Sequence, residues 1–199
     1  MKDNNIRVAI QKKGRLREPS MNFLKSLGLK FAKNGNKLIL PCQNAKVELL
    51  FVRNSDIPEY IKGGVADFGI VGQNVLFEKQ YKLKTAKKLG FGKCSLVIAA
   101  PKGVFDLEGE RIATSYPNSL KSFLRKKSIN ASVIEIQGSV EITPALNLAD
   151  AICDITQTGT TLEGNNLRII EKVLDSEAVL VQSPLITEGK LKYFKKLIR

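Results

Sequence analysis

Short apolar runs alternate with amphipathic segments along most of this chain. The apolar runs predict β-strands over residues 7–11, 47–52, 67–71, 94–100, 111–114, 131–136, 151–155, 167–173 and 178–181. The amphipathic segments predict helices over residues 19–27, 117–127 and 140–148, a short helix between Asp56 and Gly63, and a C-terminal helix with Leu191, Phe194, Leu197 and Ile198 on its inner face. This alternation predicts an α/β fold with mostly parallel sheets and flanking helices.

The order of the elements predicts two lobes. The apolar run at 94–100 ends at Pro101-Lys102-Gly103, and a second series of alternating strands and helices follows. We therefore expect residues 1–92 and 178–199 to form the first lobe and residues 93–177 the second. Ligands of open α/β sheets bind beyond the carboxyl ends of the strands, so we expect the active site in the cleft between the lobes.

Composition narrows the possible chemistry. The chain has no histidine, which excludes a Ser–His or Cys–His nucleophile, a histidine general base and histidine metal ligands. The net charge of +13 agrees with anionic ligands, although part of it can be solvated surface. The three cysteines are widely separated in apolar contexts, which favours reduced core thiols over disulfides or a zinc site.

The hydrophobic pattern predicts neither a membrane segment nor a targeting signal. No run approaches the roughly 20 apolar residues that a spanning helix needs. The apolar start at residues 6–10 is too short for a secretory signal. We therefore expect a folded cytoplasmic protein without a membrane partner.

The most informative segment begins at Asp154 and ends at Gly164. A predicted buried strand delivers Asp154, whose carboxylate can accept hydrogen bonds from sugar hydroxyls. The turn that follows offers threonine hydroxyls and backbone N–H groups around Gly159 to a phosphate, and this glycine predicts a positive φ. An ordinary strand-to-helix loop with capping threonines fits the same residues, so the motif alone leaves both interpretations open.

Five stretches form an ordered set of motifs: residues 8–16, 56–58, 65–76, 138–141 and 149–163. Together they resemble the short form of the ATP phosphoribosyltransferases that open histidine biosynthesis. The resemblance implies two lobes built like a type II periplasmic binding protein. It also implies the reaction, in which N1 of the ATP adenine is joined to C1 of phosphoribosyl pyrophosphate, pyrophosphate leaves, and Mg²⁺ is the cofactor.

The resemblance implies roles for individual residues. The catalytic residues would be Arg15, Arg53, Glu141 and Asp154. The substrate-binding residues would be Lys13, Gly14, Asp67, Gly72, Thr156, Gln157, Thr158, Gly159, Thr160 and Thr161. The 158–161 turn would hold the 5′-phosphate and Asp154 the ribose hydroxyls, with Glu141 near the sugar or its magnesium. The 13–15 loop and Arg53 would face the triphosphate or pyrophosphate, while Asp67 and Gly72 would place the adenine and its ribose.

These roles have simpler alternatives. Lys13 and Arg53 can be plain surface charges, Asp67 can be a capping residue, and Glu141 can stabilise a helix N-terminus. The ligands of the magnesium ion are not assigned.

The resemblance also implies partners. Because the chain stops at Arg199, soon after its last helix, we expect no regulatory domain. The short form implies dimers that assemble with a regulatory subunit resembling a histidyl-tRNA synthetase into a hetero-octamer.

Two other classes of protein fit part of the pattern. The same architecture serves non-catalytic small-molecule binders, but such a binder would not need cationic loops on one lobe and a ribose-phosphate loop on the other. The basic composition suggests a nucleic-acid-binding protein. The absence of tryptophan and of a basic-aromatic motif, with lysines scattered along the chain, argues against that class.

Overall fold

The computed structural model describes residues 5–33, 35, 37–104 and 106–198. In chain order its elements are β1 (Ile6–Gln11), α1 (Arg17–Ser26), β2 (Ile39–Pro41), β3 (Val47–Val52), α2 (Ile57–Lys62), β4 (Phe68–Gly72), α3 (Gln73–Glu78), β5 (Lys84–Lys88), β6 (Cys94–Ala100), β7 (Arg111–Thr114), α4 (Pro117–Lys127), β8 (Ser132–Glu135), β9 (Ala151–Thr156), α5 (Thr160–Gly164), β10 (Arg168–Ser176), β11 (Ala178–Gln182) and α6 (Glu188–Leu197). They form two compact units. The first comprises residues 1–76, 80–92 and 177–199, and the second residues 77–79 and 93–176.

The first unit is built on a six-stranded sheet in the order β2-β3-β1-β4-β11-β5. Strand β1 lies parallel to both β3 and β4, whereas β2, β11 and β5 pair antiparallel with their neighbours. Hydrophobic side chains cover both faces of β1, which explains its continuous apolar run of Val8, Ala9 and Ile10. Helix α6 packs through Phe194, whose ring stacks on Phe68 with centroids 4.1 Å apart, as its predicted inner face requires.

The second unit contains a five-stranded sheet in the order β10-β6-β9-β7-β8. Strand β7 lies parallel to β8 and β9, and β6 lies antiparallel to β9 and β10. One face is covered by α4 through Leu120, Phe123 and Leu124, and the other face by a cluster that includes Val140 and Leu162. The carboxyl ends of β7 and β9 therefore lie side by side.

The predicted α/β class is confirmed, but both sheets are mixed rather than mostly parallel. The antiparallel pairs involve the edge strands and the strands β6 and β11, which follow the points where the chain passes between the units. The predicted helix at 140–148 is wrong, because only a 3₁₀ turn at Val140–Ile142 forms before a series of turns. Pro144 has no N–H group to donate to the Val140 carbonyl oxygen, so the α-helical hydrogen bond at this position cannot form.

Four short elements escaped the sequence pattern, namely β2, α3, β5 and α5. All five residues of β5 are exposed, so this strand carries no alternation of apolar and polar positions. Among the described helices, none combines the length and apolar character needed to cross a membrane.

Candidate functional site

Parallel pairing in the first unit aligns the loops that carry most of its predicted site residues. Gln11 at the end of β1 lies level with Val52 at the end of β3, and Ala9 lies level with Gly69 of β4. The chain segments that follow these three strands therefore leave the sheet at one edge. This edge brings together Lys13, Gly14, Arg15, Arg53 and Gly72.

The loop after β1 folds over the side chain of Gln11. The Gln11 carboxamide oxygen accepts the backbone N–H of Leu16 at 3.0 Å. Gly14 has a φ of +119°, and a Cβ there would lie 2.4 Å from Gln11 Nε2. Gly14 is therefore required by backbone conformation and by close approach of Gln11, which the sequence pattern had not singled out.

The cations of this edge differ in their environments. Arg15 is half-buried, and its Nη1 donates to the carbonyl oxygen of Gly92 at 2.6 Å. Lys13 and Arg53 are exposed, and neither side chain forms a hydrogen bond or ion pair within the described part of the chain. These two charges are therefore available to an anionic ligand, whereas Arg15 is already oriented by the protein.

Gly72 makes a tight transition from β4 into α3. It is buried, and a Cβ at this position would lie 2.3 Å from Oδ1 of the buried Asn74. The same Cβ would lie 3.8 Å from Arg15 Nη2. Gly72 and Arg15 are thus neighbours, and any side chain at Gly72 would disturb the buried turn.

Asp67 lies apart from these residues, at the amino end of β4. Its Oδ2 accepts the backbone N–H of Arg7 and the Nζ of Lys190, each at 2.9 Å. The five strand residues between Asp67 and the turn separate them by roughly 16 Å. The structure does not bring Asp67 to the edge where Arg15 and Gly72 lie, and its carboxylate instead ties α6 to the sheet.

In the second unit, Glu141 lies near enough to Asp154 for its charge to act on the Asp154 carboxyl. Burial raises the pKa of the Asp154 carboxyl, and the negative charge of Glu141 raises it further, against the effect of a backbone hydrogen bond from Ile155. Glu141 lies in the 3₁₀ turn that packs beside β9. Two carboxylates therefore lie close to the carboxyl end of this strand.

The turn after β9 is held by its own side chains. Thr156 Oγ1 accepts the backbone N–H of Gly159 at 2.9 Å, and Gln157 Nε2 donates to the carbonyl oxygen of Lys93 at 3.1 Å. The hydroxyls of Thr158 and Thr160 lie 3.0 Å apart, and Thr161 is exposed. Thr156 and Gln157 thus fix the turn, while Thr158, Thr160 and Thr161 are exposed on it.

The predicted positive φ at Gly159 is confirmed, with a value of +85°. A Cβ at this position would meet no atom within 4 Å, so the space beside it is open. The N–H group of Gly159 itself is used by Thr156. The donors that remain for a ligand are therefore those of the first turn of α5 and the threonine hydroxyls.

The loop after β7 belongs to the same edge, and sequence analysis missed it. Thr114 lies level with Cys153, so Ser115 follows beside Asp154. Ser115 Oγ donates to the carbonyl oxygen of Ile136 at 2.6 Å and accepts the N–H of Gly138 at 3.4 Å. The sequence did contain a signal for this loop, because a predicted strand that lies parallel to the Asp154 strand must end at the same edge of the sheet.

Cysteine chemistry does not contribute to this edge. Cys42, Cys94 and Cys153 form no disulfide within the described residues. Burial raises the pKa of the Cys153 thiol far above its ordinary value, which leaves it protonated and unreactive. Within the described ranges, no group of three or more histidine, cysteine, aspartate or glutamate residues forms a ready metal site.

Comparisons with known proteins agree with these features. A family model described as "HisG: ATP phosphoribosyltransferase" matches residues 53–199. The ATP phosphoribosyltransferase of Cytophaga hutchinsonii is 48% identical over 190 residues, which cover 93% of this chain and 66% of that protein. The chain thus spans about two thirds of the length of curated relatives such as this one.

Two solved structures bear on the fold. An ATP phosphoribosyl transferase (HisG:HisZ) complex from Thermotoga maritima contains a chain that superposes with a TM-score of 0.84 at 34% identity, covering 97% of this chain and 96% of that one. The periplasmic aliphatic sulphonate binding protein SsuA from Escherichia coli gives a TM-score of 0.62 at 12% identity, covering 97% of this chain and 69% of that one. The second likeness concerns the fold alone and confirms its resemblance to periplasmic binding proteins. The extent of the family match and the identity to its members establish that this chain belongs to the HisG family of ATP phosphoribosyltransferases.

Proposed function

We propose that this chain transfers the phosphoribosyl group of phosphoribosyl pyrophosphate to N1 of the adenine of ATP, the first step of histidine biosynthesis. The observation that carries the proposal is the end of β9, where a half-buried carboxylate precedes an open, positive-φ turn in a member of this family. A carboxylate for ribose hydroxyls and converging donors for a phosphate are the two groups that a ribose 5-phosphate requires.

The second unit would bind phosphoribosyl pyrophosphate. Thr158, Thr160 and Thr161 would surround the 5′-phosphate together with the first N–H groups of α5. Thr156, Gln157 and Gly159 would hold the turn in shape through the hydrogen bonds that they already form. Asp154 would accept hydrogen bonds from the ribose hydroxyls, and Glu141 would lie near the sugar.

The first unit would bind the polyphosphate groups. Lys13 and Arg53 are exposed, unpaired within the described residues and next to a glycine loop, so they suit the triphosphate of ATP or the departing pyrophosphate. Arg15 is held by Gly92 and beside Gly72, where it would orient a phosphate or the adenine. We assign Asp67 a structural role instead, because Lys190 and the Arg7 N–H use its carboxylate.

The proposed cofactor is Mg²⁺, and the donors present fit it. Mg²⁺ usually binds one or two carboxylates and completes its shell with water and substrate phosphates, and Asp154 and Glu141 supply two neighbouring carboxylates. When bound, Mg²⁺ would neutralise charge on the leaving pyrophosphate.

The chemistry suits a chain without histidine. A bond forms between adenine N1 and ribose C1 while the bond from C1 to the pyrophosphate oxygen breaks, with inversion at C1. Adenine N1 has a lone pair available, so no strong base is needed to generate the nucleophile. Positive charge develops at the ribosyl carbon, where the carboxylates of Asp154 and Glu141 would stabilise it. Cations of the first unit would stabilise the departing pyrophosphate.

We also propose that this chain is a short-form catalytic subunit. The likeness to the Thermotoga maritima complex supports this, since the match covers nearly the whole of that chain. The partner would be a regulatory subunit that resembles histidyl-tRNA synthetase, joined with dimers of this chain in a hetero-octamer. The proposed compartment is the cytoplasm, where ATP and phosphoribosyl pyrophosphate are made.

Purified chain mixed with ATP, phosphoribosyl pyrophosphate and Mg²⁺, with and without the regulatory subunit, tests the proposal. The expected product is an N1-linked phosphoribosyl adduct of ATP, identified by mass spectrometry and by its ultraviolet absorbance. Calorimetric titration of each substrate runs in parallel. Substrate binding without any adduct, in both preparations, would instead identify a binding protein.

A further inference from the structure

Glu78, the last residue of α3, binds the N-terminus of α4. Its Oε1 accepts the backbone N–H of Asn118 and its Oε2 that of Ser119, each at 2.9 Å. The side-chain amide of Asn118 donates in turn to the Glu78 carbonyl oxygen at 3.0 Å. The first N–H groups of a helix have no partner within the helix, and a carboxylate there is favoured by the helix dipole. The Glu78 side chain therefore satisfies two of the unpaired N–H groups at the start of α4.

The helix held in this way follows a loop that lies beside Asp154. Thr114 ends β7 level with Cys153, and its Oγ1 donates to the Cys153 carbonyl oxygen at 2.7 Å. The same Oγ1 accepts the N–H of Tyr116 at 2.8 Å, immediately before α4. The loop of Ser115 and Tyr116 is thus held between the end of β7 and the N-terminus of α4. This loop lies next to the strand end that carries Asp154.

The other end of α3 is fixed to the first unit. Its first residue, Gln73, follows Gly72 directly, and the N–H of Gln73 donates to the Glu177 carbonyl oxygen at 3.0 Å. The N–H of Glu177 donates back to Gln73 Oε1 at 3.3 Å. Helix α3 is therefore held by hydrogen bonds at its first residue as well as at its last.

We propose that Glu78 is a positioning residue for phosphoribosyl transfer, which holds the N-terminus of α4 and thereby the loop beside Asp154. This inference rests on the proposed function. Glu78 touches no substrate in this role. Misplacement of reacting groups by about 1 Å can cost up to 100-fold in rate. Loosening the contact between Glu78 and α4 therefore slows the transfer more than it weakens the binding of either substrate.

The test compares Glu78→Gln with Glu108→Gln in the full chain. A glutamine has one acceptor oxygen, so Glu78→Gln loses one of the two N–H bonds. Glu108 also accepts a backbone N–H in the second unit, that of Asn130 at 3.0 Å, but Asn130 lies before β8, at the opposite edge from Asp154. Asn118→Ala is a milder second variant, because it removes only the side-chain amide bond to Glu78.

For Glu78→Gln we expect kcat to fall at least about fivefold while the dissociation constant of ribose 5-phosphate changes less than twofold. Asn118→Ala is expected to lower kcat by less and in the same direction, and it decides the matter if Glu78→Gln does not fold. Glu108→Gln is expected to retain the wild-type kcat. An unchanged kcat, or a parallel loss of ribose 5-phosphate affinity, overturns the inference. An inactive wild-type chain would instead count against the proposed function.

Discussion

Asp154 is half-buried, and burial disfavours the charged form of its carboxyl group. Burial, with the nearby Glu141 charge, raises its pKa in the folded protein above the value in the unfolded chain. A carboxyl of this kind stabilises the fold below its unfolded pKa, and this contribution is lost as the pH rises through the folded pKa. Ionisation of Asp154 therefore costs stability, which favours a role in binding or catalysis over a role in folding.

Asp154→Asn should separate these two roles. We expect activity to fall by roughly 10- to 150-fold, the equivalent of about 1.5 to 3 kcal/mol for a hydrogen bond to a charged group. Stability at pH 7 should stay the same or rise, because the substitution removes a half-buried charge. Steady-state kinetics and urea denaturation measure the two effects. Full activity combined with lower stability would show that Asp154 serves the fold.

Gly159 tests the phosphate turn. Gly159→Val places a branched side chain at a φ of +85°, and we expect a loss of roughly 1–2 kcal/mol of stability together with the loss of phosphoribosyl pyrophosphate binding. Gly109→Val is the matched control, since Gly109 has a φ of +77° and equally open surroundings. It should cost similar stability and leave binding intact. Calorimetric titration measures the affinity for phosphoribosyl pyrophosphate. Equal affinity in the two variants would show that the turn is not part of the binding site.

At the scale of elements, Arg111 and Asp150 join the starts of β7 and β9. Arg111 Nε donates to Asp150 Oδ2 at 2.9 Å and Nη2 to Oδ1 at 2.7 Å, and the Arg111 N–H also donates to Oδ2 at 2.9 Å. These hydrogen bonds and the guanidinium charge lower the pKa of Asp150 to about 2. This clamp aligns the two parallel strands whose opposite ends carry Thr114 and Asp154.

Asp150→Asn should therefore lower stability in a pH-dependent way. A carboxyl with a lowered pKa stabilises the fold above its unfolded pKa of about 4, and that contribution is lost as the pH falls toward about 2. The melting temperatures of wild type and variant should differ at pH 6 and converge in acid. A difference that is constant between pH 6 and pH 3 would show that the charge of Asp150 does not contribute.

At the scale of the whole molecule, the proposed partnership predicts how histidine acts. Allosteric inhibition needs two distinct sites whose states differ in energy, and in the proposed short-form assembly the regulatory subunit supplies the effector site. Histidine should inhibit the reconstituted complex strongly and the isolated chain weakly. Steady-state assays of both preparations decide the matter. Equal, potent inhibition would locate the histidine site within this chain.

Local sequence patterns predicted the elements whose side chains are most deeply buried. The strands β1, β3, β6 and β9 each contain an apolar run because neighbouring side chains cover both of their faces. The helix predicted at 140–148 does not form, because Pro144 has no N–H group to continue its hydrogen bonds. Strand β5 offered no signal, because an exposed edge strand is held by backbone pairing to β11 and not by burial of its side chains.

The sequence by itself determined the fold class, the family, the positive φ of Gly159 and the chemistry that a chain without histidine excludes. Each of these depends on residue type or on neighbours along the chain. Only the tertiary structure decided that Asp67 pairs with Lys190, 123 positions away, and that Glu78 binds the start of α4, 40 positions away. Such pairs depend on which strand ends and helix ends meet, and packing of the whole chain sets this.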